Sequence, residues 1–274
     1  MKTKEKAKEF SVDYTDLLQE VIEKPGVVAK CFSVFHDYSV NNQLLAYWQM
    51  ILNDIPVSPI NTFKKWNALD RRIKAGSKAL YLWIPIGTYV NKKKDEVTGE
   101  EKITSIYTKY KYVNRWFAMS QTEGKDFNPE QATLPNFDFN KVYKELGIKL
   151  IPFEKVNGNV QGYARTATKE LAINPIAQEP EMTILHEVAH IALKHCEVDY
   201  SANLKELEAE AVAYICGSIL GLPEEQLAHS RAYCQNWFKE GKVPEKNGKN
   251  ITRVAQLILD YGTGKKTAKD KEEV

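Results

Sequence analysis

His186-Glu187-Val188-Ala189-His190 sits inside a run from Glu181 to His195 that has no glycine and no proline. Apolar residues recur in it at helical spacing, at Ile184, Val188 and Ile191, so it predicts a helix. Two helical residues four apart project from the same side, one turn above the other. His186 and His190 can therefore grip one divalent ion, and Glu187 beside the first can take a proton from water held there. A helix face that merely happens to carry two histidines is the plain alternative. A third ligand at matched depth separates the two.

The segment after the motif supplies one. Cys196 to Tyr200 reads as a connection, and Ser201 as the cap of a second helix from Asn203 to about Leu220, stopped by Gly221 and Pro223. That helix carries Glu206, Glu208 and Glu210. If the two helices fold back on each other near position 198, Glu206 comes level with His190 and Glu210 level with His186. Glu208 is turned about 200° away. Taken alone, the three glutamates would read as a solvated acidic face. Beside the motif, His186, His190 and Glu206 are the expected Zn2+ ligands, with water as the fourth. Glu210 is the second choice for ligand, or an outer partner that orients a histidine. Glu187 is the expected catalytic base on the water that zinc acidifies. His195 follows His190 by five residues and not six, so the extended three-histidine pattern is absent, and it reads as a helix C-terminal residue. His36 and His229 are isolated and receive no role.

With 274 residues, 43% of them apolar and 27% charged, the chain reads as globular and long enough for two domains. No apolar run approaches membrane-spanning length, and the opening Met1 to Glu9 is of mixed charge, so the expectation is a cytoplasmic protein with no membrane partner. Cysteines 31, 196, 216 and 234 lack metal-knuckle spacing and read as reduced core thiols. The net charge of +2 hides an uneven distribution. Residues 61–116 hold thirteen Lys/Arg against five Asp/Glu, and residues 176–210 two against eight, which suggests different partners for the two halves.

The first half reads as helices packed on a small antiparallel sheet. Helices are expected up to about residue 24 (with Phe10, Leu17, Leu18 and Val21 inward), at Val27–Phe35, from a Ser39 cap to Ile51, and at Phe63–Leu69. Strands are expected at Ala79–Ile86 and Ile103–Met119, joined by a charged tip at Asn91–Glu101. Residues 128–136, with two prolines and no periodicity, read as a linker between domains at 1–127 and 137–274. Beyond it come a helix at Phe139–Leu146, a strand at Ile148–Phe153, and a hairpin of Gly162–Ala164 with Leu171–Ile173. Such a short sheet ahead of the motif helix could hold an extended peptide on its edge, with Tyr163 contacting substrate. Helices at Glu224–Lys239 and Ile251–Tyr261 and a lysine-rich tail complete the α+β pattern.

Residues 31–117 hold fifteen of the chain's twenty-nine aromatic residues. Strict strand alternation puts Lys109, Lys111 and Arg115 on one face and Tyr110, Tyr112 and Trp116 on the other, while Tyr81 and Trp83 oppose Leu80 and Leu82. An aromatic face rimmed by cations is how proteins stack single-stranded bases and neutralise phosphates; aromatics packed under helices are the plain alternative.

Five pieces in this order carry a resemblance: Tyr38 to Leu45, Phe63 to Trp66, Ile73 to Pro85, Trp116 to Thr122, and the motif followed by Glu206-Leu207-Glu208-Ala209-Glu210. The first half resembles the single-strand-DNA-binding domain of ArdC-type antirestriction proteins, LtrC-like proteins included. The second half is similar to the zincin-like, mostly helical metallopeptidase domain found with it. A related arrangement follows the motif in ImmA/IrrE-type peptidases and favours Glu206 as ligand. The resemblance implies single-stranded DNA and a peptide or protein substrate as partners, with DNA contacts at Lys65, Trp66, Lys78, Trp83, Lys109, Lys111 and Arg115. It implies protection of incoming DNA from restriction or cleavage of a host protein. The rival expectations are a regulatory peptidase that cuts a repressor and a DNA-coating protein with structural zinc. This chain departs from the family at Lys74-Ala75-Gly76-Ser77-Lys78, where a Lys-Gly turn is usual, and its last fifty residues match nothing.

Overall fold

The computed structural model of the chain describes residues 12–94, 101–154 and 159–265. In chain order its elements are α1 (Tyr14–Ile22), α2 (Val27–Phe35), α3 (Val40–Leu52), β1 (Ile60–Thr62), α4 (Phe63–Ala68), β2 (Arg71–Ile73), β3 (Leu80–Lys94), β4 (Glu101–Ala118) and β5 (Thr122–Gly124). There follow α5 (Phe139–Leu146), β6 (Lys149–Leu150), β7 (Gly162–Arg165), β8 (Glu170–Ile173), α6 (Pro180–Ala192), α7 (Ala202–Ile219), α8 (Glu224–Glu240) and α9 (Glu245–Thr263). The protein is α+β, with sheets ordered β1-β4-β3, β2-β5 and β6-β8-β7 among the described residues. Phe10, the hairpin tip at 95–100 and the tail from 266 lie outside the described residues.

Two compact units emerge, and their boundary is only in part the expected one. Residues 45–130 form one, ending inside the expected linker. The described residues up to Leu44 group with those from Gln131 onward, so α1 and α2 belong with the motif helix and not with the long strands.

In that larger unit α7 is the central helix: every residue from Leu207 to Ile219 is buried, among α6, α8 and α9. A helix covered on all sides needs small residues where neighbours approach closely. A side chain on Gly217 would fall 2.7 Å from both Leu227 and Met182, so α8 and α6 close on α7 through that position. The same device explains why α9 starts six residues earlier than expected. Gly248 reads as a breaker, yet a Cβ there would lie 2.4 Å from Tyr14 Cβ; it is where α9 meets α1.

In the smaller unit β3 and β4 make a long antiparallel hairpin, with β1 on the other side of β4. A register shift at its base corrects one expectation. Leu80 pairs with Trp116 while Tyr81 pairs with Asn114, so Arg115 is an extra residue. The bulge turns Trp116 onto the core face with Leu80 and Leu82, away from Tyr112. On the opposite face Trp83 pairs with Tyr112, their rings 4.9 Å apart, and Tyr81 stacks on Tyr112 at 5.1 Å. The buried Gln49 of α3 secures β3 here by exchanging hydrogen bonds with the Tyr81 backbone, at 2.8 and 2.9 Å.

Candidate metal centre

α6 opens with Pro180, whose missing N–H costs nothing in a first turn, and runs unbroken through the motif. Ser201 caps α7 as expected, its Oγ accepting the Leu204 N–H at 3.3 Å. The two helices pack together and bring their side chains to one point. His186 Nε2 and His190 Nε2 are 3.0 Å apart. Glu206 Oε2 lies 3.4 Å from the first and Glu206 Oε1 3.5 Å from the second. Among the described residues His186, His190 and Glu206 form a group whose ligand atoms all lie within 4.8 Å of one another. Two imidazole nitrogens and one carboxylate on a common point fit a divalent ion. Glu210 stands behind: its Oε1 is 3.4 Å from His186 Nδ1, on the far side of that ring.

The electrostatics match this crowding. Burial works against a charged His186, but Glu206 and Glu210 outweigh it and push its pKa up to about 10. Hydrogen bonds from His186 and His190 hold Glu206 well below the usual carboxylate range. For Glu210, burial opposes ionisation, and His186 overcomes it to lower the pKa. Glu187 goes the other way. Burial raises its pKa above the ordinary value, against the two histidines and the Ala164 backbone N–H that its carboxylate accepts.

A cavity of about 430 Å³ opens beside the centre, lined among others by Gly162, Thr183, His186, Glu187, Glu210 and His229. Gly162 at the start of β7 lines it, and among the described residues β7 pairs with β8 alone, at the edge of its sheet. Tyr163 does not line this cavity. Gly162 points toward α6, where a Cβ would meet Thr183 at 2.7 Å, and alternation turns Tyr163 away, onto Phe153 at 5.8 Å.

Several site residues were not foreseen. His229 Nδ1 lies 3.7 Å from Glu210 Oε1, and Tyr233, one turn further along α8, is raised in pKa by burial and by the charges of Glu206 and Glu210. Their four-residue spacing was the available signal. Glu208 and His195 are both buried and bonded to each other at 3.1 Å, and His195 Nδ1 lies 2.8 Å from His190 Nδ1. Glu208 is thus not part of a solvated acidic face, and His195, just past the end of α6 as expected, is buried. Cys196 is exposed, whereas Cys31, Cys216 and Cys234 are the buried thiols expected.

In the other unit Lys65, Lys78, Lys109, Lys111 and Arg115 are exposed, and Trp83 is half-buried in its ring stack. Trp66 is a correction. It is fully buried, donates its indole N–H to the Phe117 carbonyl at 2.8 Å and meets Phe127 edge-on, so it is a core residue with no face for a base.

Among solved structures, the antirestriction ArdC protein from R388 plasmid in its metal-free form matches 94% of this chain and 100% of its own, at 16% identity and a TM-score of 0.54. The fold is of the ArdC type. The Mn(II)-bound structure of the same protein matches at 14% identity and a TM-score of 0.52, over 93% of this chain and 98% of its own. No family model and no curated protein matches the chain. The ArdC-type fold thus spans both compact units. No helix among the described residues is long and apolar enough to cross a membrane.

Proposed function

We propose that this is an antirestriction protein in which a zinc-dependent peptidase centre accompanies a surface for single-stranded DNA. The reading rests chiefly on one observation: two nitrogens and a carboxylate converge beside a cavity that Glu187 also lines. The name of the ArdC structures points the same way.

In this reading His186, His190 and Glu206 would hold the ion and Glu210 would steady His186 from behind. When bound, the ion would supply Lewis acidity to water and to a carbonyl. Glu187 takes the proton of the attacking water and returns it to the leaving amine. The Ala164 N–H fixes the carboxylate, and burial brings its proton affinity nearer to neutral pH. An extended peptide lies along the free edge of β7 and presents its scissile bond to the cavity. On the other unit, bases stack at Trp83 while Lys65, Lys78, Lys109, Lys111 and Arg115 take phosphates. The protein acts in the cytoplasm, where incoming DNA meets restriction enzymes.

Glu187→Gln is the deciding variant. It keeps all three ligands, so zinc binding stays as in the wild type while hydrolysis of an unfolded-protein substrate falls by about 10²–10⁴-fold. Hydrolysis that survives the substitution contradicts the peptidase assignment. Unchanged protection of DNA from restriction in the same variant would place antirestriction in DNA binding alone.

A further inference from the structure

His195 belongs to no ligand set, yet its ring is held on both sides. Its Nε2 lies 3.1 Å from Glu208 Oε2, and its Nδ1 lies 2.8 Å from Nδ1 of His190. Glu208 is wholly buried and accepts two further hydrogen bonds, from the Tyr200 hydroxyl and from Asn247 Nδ2 at 3.2 Å. Burial and the Glu208 carboxylate both raise the Tyr200 pKa, so its hydroxyl keeps its proton and donates.

Donor and acceptor rules link these contacts to the metal reading. An ion held at His190 Nε2, the nitrogen that faces His186 and Glu206, leaves the ring its one hydrogen on Nδ1. Across the contact of 2.8 Å that Nδ1–H donates, so His195 Nδ1 accepts. His195 then carries its hydrogen on Nε2 and donates it to the Glu208 carboxylate.

We propose that Glu208 and His195 are positioning residues that hold the His190 ring with its Nε2 turned to a metal ion and its hydrogen on Nδ1. The inference rests on reading His186, His190 and Glu206 as a metal centre, and it adds a relay that reaches His190 from behind. The two histidines are thereby served by two glutamates of one helix. Glu210 meets the His186 ring directly, at 3.4 Å, and Glu208, which projects from another side of α7, reaches His190 through His195.

The backbone is shaped for this contact. α6 ends in a paired capping pattern: the His195 N–H bonds the His190 carbonyl at 3.2 Å and the Lys194 N–H bonds the Ile191 carbonyl at 3.1 Å. Lys194 takes the left-handed conformation that such a cap requires, at φ 57°. This cap ordinarily brings an apolar pair together across its turn; here the pair is His190 and His195. The spacing of five that breaks the three-histidine ligand pattern is the spacing that puts His195 behind His190.

The test begins with the zinc-loaded wild type labelled with ¹⁵N in its histidines, which needs no variant to fold. Long-range proton–nitrogen correlation reads which nitrogen of each ring bears hydrogen. With zinc bound, the relay requires Nδ1–H on His190 and Nε2–H on His195; hydrogen on His195 Nδ1 overturns it. His195→Phe fills the same space and cuts the relay, and Glu208→Gln keeps an acceptor oxygen without the charge. Zinc titrated against a competing chelator is expected to bind about 10–100-fold more weakly to His195→Phe, with Glu208→Gln in between. Affinities within about twofold of the wild type in both variants overturn the relay as well. A control with equal loss of thermal stability from the α9 core, Val254→Ala, should leave both the tautomer and the affinity unchanged. Zinc that fails to bind the wild type would sink the metal-centre reading on which the relay rests, whereas zinc bound with hydrogen on His195 Nδ1 sinks the relay alone.

Discussion

At the scale of single residues, the sequence carries the centre because its chemistry is local. Four-residue spacing on a helix fixes His186 and His190, and Glu206 and Glu210 share a face for the same reason. Glu208 and His195 were not legible, because what buries them is a turn in the left-handed conformation and a neighbouring helix, neither of which leaves a mark near them in sequence. Trp66 and Trp83 show the same limit, since only the packing tells a core indole from an accessible one. Trp66→Ala should cost about 3–5 kcal/mol of stability in chemical unfolding. Trp83→Ala should instead weaken binding of single-stranded DNA by about 1–3 kcal/mol, because it removes one stacking platform. DNA affinity unchanged by the second substitution would remove Trp83 from the interface. The centre also makes a pH prediction for metal-free protein. The folded pKa of His186 is about 10 against an ordinary 6.5, so its contribution is complete below 6.5 and lost as pH rises toward 10. Glu206 is lowered, so its contribution is present above about 4.5 and lost in acid. Thermal midpoints measured with chelator should therefore fall from pH 6.5 to pH 10. A midpoint flat over that range contradicts the ion pairing.

At the scale of elements, helices with caps were read well, and every expected strand is present, while the far half of β3 and the short β1, β2 and β5 were missed. α6 and α7 fall where the periodicity and Ser201 put them. β3 continues to Lys94 through Gly87 and a lysine run that read as loop, because cross-strand pairing with β4 overrides weak local preference. The bulge at Arg115 adds one residue and so reverses every side chain beyond it, a change that alternation alone cannot anticipate. Lys194 gives an element-scale prediction. A non-glycine residue in the left-handed region costs about 1–2 kcal/mol, so Lys194→Gly should stabilise the protein by up to about 1 kcal/mol, the extra freedom of glycine in the unfolded chain offsetting part of the gain. Metal affinity should not change, since the backbone turn is preserved. A destabilised protein would mean that the Lys194 side chain matters more than its conformation.

At the scale of the whole molecule, the ArdC-type fold places a basic segment and an acidic one in different compact units. That charge division was plain in the sequence; the grouping of α1 and α2 with the unit that carries the candidate centre was not, because it depends on contacts such as Gly248 against Tyr14. If the basic unit binds single-stranded DNA through phosphates, log affinity should fall with log salt by about 0.7 per contact, approaching about −3.5 if all five named cations take part. A slope near zero would leave the aromatic face without its proposed ligand. The central claim is the metal centre itself, and the most direct measurement is the zinc content of purified wild type beside His186→Ala and Glu206→Ala. The account predicts about one zinc per chain in the wild type, lost in both variants. Zinc retained by Glu206→Ala would contradict the ligand set, and a wild type that takes up no zinc would contradict the centre.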